Sequence, residues 1–272
     1  MASRNVQMEN FMPLMKTANP ALGENTFRDV AQGQYGYGVP QGAVDAASRM
    51  TLSGTVNKTG ILLLCALATA AWVWNLYLQS HNMAAVAPLL VLGGIGGLVV
   101  AFVTIFKKEW SAVTAPIYAL LEGLVLGGLS AAVDVRYPGV AMEAVGLTFG
   151  TLFVLLLAYR SGLIKVTQRF ALGVVAATGG IMLFYFAEMI LGFFGVHFAT
   201  LNGAGPIGIG FSLFVVAIAS LNLVLDFAFV EQGVHVGAPK YMEWYAAFGI
   251  MVTLVWLYLE MLRLLAKINS RR

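Results

Sequence analysis

The chain has 272 residues, of which 59% are hydrophobic and only 11% charged, and its net charge is +3. A soluble domain carries about 25% charged residues, so lipid is the consistent solvent. The small net charge, with no basic stripe, argues against a nucleic-acid partner, and the single Cys65 excludes an intrachain disulfide or a thiolate-metal cluster.

Residues 1–53 are polar and weakly periodic. Stretches such as Gln32-Gly33-Gln34-Tyr35-Gly36-Tyr37-Gly38 bury too little apolar area to offset the entropy of ordering. They read as a disordered cytoplasmic tail, with no secretory leader pattern. A transmembrane domain over 54–268 and a short basic end at 269–272 complete the predicted organisation.

Seven apolar stretches follow, at about 60–78, 84–106, 111–133, 140–158, 171–194, 206–230 and 242–266. Each is near the ~20 residues that cross a ~30 Å hydrocarbon layer. The pattern predicts an all-α, polytopic bundle of seven transmembrane helices. Lys58, Lys107, Lys108, Arg160, Lys165, Arg169 and Lys240 fall on the cytoplasmic side if the N-terminus is inside. The basic end with Arg263, Lys267, Arg271 and Arg272 then falls outside, against the charge rule. In the third span, Gly123 and Gly127 form a small-xxx-small pair that lets two helix backbones approach.

A carboxylate inside hydrocarbon costs ~2.5–3.5 kcal/mol on insertion scales and marks a functional candidate. Glu122 sits mid-span with Tyr118 one turn before it, placed to donate a hydrogen bond. Glu188 lies in the outer part of the fifth span. Asp226 lies in the sixth, with Asn222 one turn away on the same face, which implies a polar interior. Glu260 lies in the seventh with Arg263 three residues on, a spacing that also suits a local ion pair reaching the interface. Counting back along a simple hairpin, Glu243 or its neighbours match Asp226 in depth, and Glu260 lies about 30 Å away along the axis. No HExxH or GxSxG motif occurs, and the three histidines are far apart in sequence. The chain reads as no enzyme and needs no cofactor; an intramembrane protease lacks a matched pair of acid motifs.

Together, Arg49-Met50-Thr51-Leu52-Ser53-Gly54, Tyr118 to Gly128, Leu223-Val224-Leu225-Asp226-Phe227, Lys240 to Phe248 and Leu257-Tyr258-Leu259-Glu260 resemble the Bax inhibitor-1 (transmembrane Bax inhibitor motif) family in a bacterial branch. The resemblance spans roughly Gly54 to Lys267. It implies a last helix enclosed by the other six, at an inner membrane. It also implies a calcium leak controlled by a proton shared between one acid of the sixth helix and one of the seventh. Asp226 matches the first of these and is a candidate calcium ligand. For the second, Leu257-Tyr258-Leu259-Glu260 fits the motif, whereas counting back from the basic end gives Trp256. The alternative is a non-conducting membrane protein that modulates a protease or stress-response partner.

Overall fold

The computed structural model describes residues 48–195 and 199–271. The tail before Ser48, His197 and the final Arg272 lie outside the described residues. Seven helices long and apolar enough to cross a membrane account for most of the rest. They are α1 (Leu52–Ser80), α2 (Met83–Phe106), α3 (Ser111–Arg136, entered through a 3-10 turn at Lys108–Trp110), α4 (Val140–Arg160), α5 (Gln168–Phe193), α6 (Pro206–His235) and α7 (Met242–Asn269). A single turn at Ala199–Asn202 precedes α6. The protein is thus the all-α polytopic bundle that the apolar stretches predict.

The ends follow local chemistry. Thr51 caps α1 by accepting from the Gly54 amide, Asn82 caps α2 through the Ala84 amide, and Thr167 caps α5 through Phe170. Pro206 occupies the first position of α6, where its missing N–H costs nothing. Between α3 and α4, Gly139 takes φ +87°, a conformation that favours glycine, and donates to Asp134 Oδ1 at 2.8 Å.

Without a hydrophobic driving force between helices, packing in lipid depends on close backbone approach. Gly127 shows this at the α1–α3 crossing. A Cβ there would stand 2.5 Å from the Ala70 carbonyl oxygen and 2.8 Å from Ala70 Cα, while one on Gly123 would strike Ala66 and Thr69. Thr69 closes the seam by donating to the Leu120 carbonyl at 2.9 Å. Replacing Gly127 with leucine is expected to force α1 off α3. It should cost at least the ~1–3 kcal/mol of an overpacked core, read as a lower unfolding temperature in detergent.

α7 is the central element. It packs against α1, α3, α4 and α6, and nearly three quarters of its most apolar window is buried, against about one fifth for α1, α2, α4 and α5. Those outer helices instead expose large apolar side chains such as Leu64, Leu92, Phe153 and Leu183, as lipid-facing surfaces do. The short segment before α1, grouped with the tail on composition, is tied down. Met50 N donates to the Ala238 carbonyl at 2.6 Å and Lys240 N to the Ser48 carbonyl at 2.9 Å, so the lead-in pairs with the α6–α7 loop. α1, α3, α5 and α7 begin on one face of the bundle, the entry face, and run to the opposite, far face.

Candidate functional site

α6 and α7 carry four acidic or basic side chains that are nearly sealed from the surface: Asp226, Glu243, Glu260 and Lys267. They occupy three separate depths.

At the entry face, Glu243 lies in the first turn of α7. Its Oε1 accepts from the Thr51 amide at 2.9 Å and the Thr51 hydroxyl at 2.8 Å. Its Oε2 pairs with Lys58 of α1, whose ammonium also lies over the Trp244 ring. Lys240 stands 3.7 Å from Oε1. A Cβ on Gly54 would run into this carboxylate, so the glycine makes room for it. Nearby, the Tyr241 hydroxyl is held above its ordinary pKa range by burial and then by the charge of Glu109.

At mid-depth, Asp226 is fully buried and accepts from the Thr253 hydroxyl of α7 at 2.5 Å. One turn earlier, Asn222 donates to the Thr178 hydroxyl of α5 at 2.7 Å and to the Ile218 carbonyl at 2.9 Å. Its Oδ1 is buried with no hydrogen-bond partner among the described residues. Such an atom marks a place for water or a cation. Thr178, Asn222, Asp226 and Thr253 thus form a polar seam through α5, α6 and α7.

Toward the far face, Glu260 Oε1 accepts from the Tyr185 hydroxyl at 3.0 Å and from Arg263 Nη1 at 3.1 Å. Arg263 also donates to the Tyr185 oxygen at 2.6 Å. One turn beyond Arg263, Lys267 Nζ donates to the Leu201 carbonyl (2.8 Å), the Gly208 carbonyl (3.1 Å) and the Ser212 hydroxyl (2.9 Å). All three of its protons are therefore used, which is how a lysine tolerates burial. Glu188 of α5 accepts from Asn202 on the same face.

The structure corrects one expectation and leaves others apart. Thr253, not Glu243, matches Asp226 in depth. α6 runs nine residues past Asp226 to His235, beyond the apolar stretch that suggested an end at 230, so the hairpin count starts about one turn too early. Glu260 lies seven residues beyond Thr253, about 10 Å along the axis rather than 30. Asp226 is bonded to Thr253, and Glu260 to Tyr185 and Arg263. Glu122 is half-buried against Gly97 of α2 and interacts with Tyr118, on the α2–α3 side of the bundle. Thr253, Lys58 and Lys267 belong to these sites without any motif in the sequence to mark them. A threonine seven residues before Glu260, on the same face, is the one available hint.

A seven-helix membrane bundle organised around a buried central helix with ionisable groups at three depths defines the class of this protein. The sequence profile described as Bax inhibitor 1 like matches residues 19–270, nearly the whole chain, and the chain belongs to that family. No curated protein and no solved structure matches it.

Proposed function

We propose that this protein is a passive cation leak of the inner membrane, favouring calcium, with its N-terminus cytoplasmic and Asp226 as the central group of the pathway. It carries ions and catalyses no reaction. The observation that supports this reading best is the seam at mid-depth. A fully buried carboxylate with a neighbouring orphan amide oxygen is costly in lipid unless it serves an ion or water. Calcium takes oxygen ligands in flexible geometry, and Asp226, Asn222, Thr178 and Thr253 are all oxygen donors.

Proton control acts on Asp226 itself in this reading. An ionised carboxylate only accepts hydrogen bonds, whereas a protonated one also donates. Protonation therefore changes what Asp226 exchanges with Thr253 and removes the charge that attracts the cation. Glu260 is bonded to Tyr185 and Arg263, so this reading places the controlling proton on Asp226 rather than on a pair shared with Glu260.

The test is calcium entry into liposomes containing the purified protein. Asp226→Asn is expected to reduce flux about tenfold or more, since loss of a charge worth several kcal/mol to a nearby divalent ion exceeds the ~1.4 kcal/mol of one decade. Unchanged flux in that variant would remove Asp226 from the pathway. Absence of flux from the wild type at every pH would favour the alternative, a non-conducting partner of a protease or stress factor.

A further inference from the structure

α1 and α4 both pack on α7 but hardly meet each other. Between them lies a crevice of about 370 Å³, floored by α3 and α7. Its walls include Trp74 of α1, Val145 of α4 and Val255 of α7. Three hydroxyls reach it, and each is already engaged. Ser130 and Tyr258 pair at 2.6 Å, Ser130 also bonds the Leu126 carbonyl, and Thr148 bonds the Ala144 carbonyl at 2.7 Å. A water in the crevice would find almost no partner, and apolar cavities of this kind stay dry or take apolar guests.

Its position selects the guest. Along α1 the lining runs from Leu63 to Trp74, about 16 Å of helix, which is about half of a ~30 Å hydrocarbon layer. On α4 it begins at Ala141 in the first turn, so it spans the far-face leaflet. At about 30 Å³ per water-sized unit, it has room for roughly a dozen carbons. At the far-face ends of α3 and α4, Arg136 and Glu143 are exposed and Asp134 is half-buried, so charged groups mark the headgroup level there.

We infer that the α1–α4 crevice is a binding site for one phospholipid of the far-face leaflet, its acyl chain against Trp74 and Tyr258. Such a chain touches α7 at Met251, Leu254 and Val255, the residues around Thr253. Bound lipid would thereby brace the helix that faces Asp226.

The test is native mass spectrometry of the full chain in mild detergent, with phosphatidylethanolamine added. Wild type is expected to retain one phosphatidylethanolamine and to melt at higher temperature with it. Ala71→Trp, which fills the crevice, should lose both effects. Ala68→Trp, exposed on α1 but outside the lining, should keep both. A wild type that retains no lipid, or an Ala71→Trp variant that retains as much, overturns the site.

Discussion

Glu243→Ala is expected to destabilise the bundle by about 3 kcal/mol, measured as chemical or thermal unfolding of the purified protein in detergent. Removing one partner of a sealed ion pair costs ~3–5 kcal/mol because the other charge is left behind. The lower end applies here. The side chain is fully covered, but it sits in the first turn of α7, where headgroups and water are close. Lys58 would lose its carboxylate, and both the amide and hydroxyl of Thr51 would lose their acceptor. Since Thr51 caps α1, the damage would spread to the start of that helix. Glu243→Gln keeps the shape and one acceptor oxygen, which can still serve Thr51, so its loss should be smaller. The double change Lys58→Met with Glu243→Leu should recover part of the loss, because replacing a buried pair by apolar side chains is often close to neutral. If Glu243→Ala unfolds like the wild type, the contact between lead-in and central helix contributes nothing to stability.

How far the sequence carries depends on the range of each interaction. The seven helices are legible because their signal is local: twenty apolar residues need no partner to be recognised. The Gly123–Gly127 pair is legible for the same reason, and the structure places it on Ala66, Thr69 and Ala70. The Glu260–Arg263 contact follows from i, i+3 spacing alone. The end of α6 is less so. Glu231, Gln232 and His235 read as a loop by polarity, yet the helix continues through them, since a helix can leave the hydrocarbon without ending. That extra turn decides which residue faces Asp226. The ring of acceptors around Lys267 is not legible at all, because two of them are backbone carbonyls, of Leu201 and Gly208, that any residue type would supply.

The same register fixes the most direct test of the pathway. The position facing Asp226 carries a hydroxyl, at 2.5 Å, and no second carboxyl. Thr253→Asp would put two carboxyl groups within hydrogen-bond reach. Two such groups cannot both ionise cheaply, and they lose their protons in two coupled steps. While the pair holds one proton, it ties α6 to α7. When that proton leaves, like charges push the helices apart. Calcium entry into liposomes is therefore expected to depend on pH more steeply in Thr253→Asp than in the wild type between about pH 5 and pH 8, low in acid and rising as the shared proton is lost. Thr253→Val, which removes the hydroxyl at nearly constant volume, should shift the profile without steepening it. Identical profiles for all three proteins would mean that the α6–α7 contact at Asp226 does not govern the leak. Pathway control would then have to reside at another depth of α7, at Glu243 or at the Glu260–Lys267 cluster.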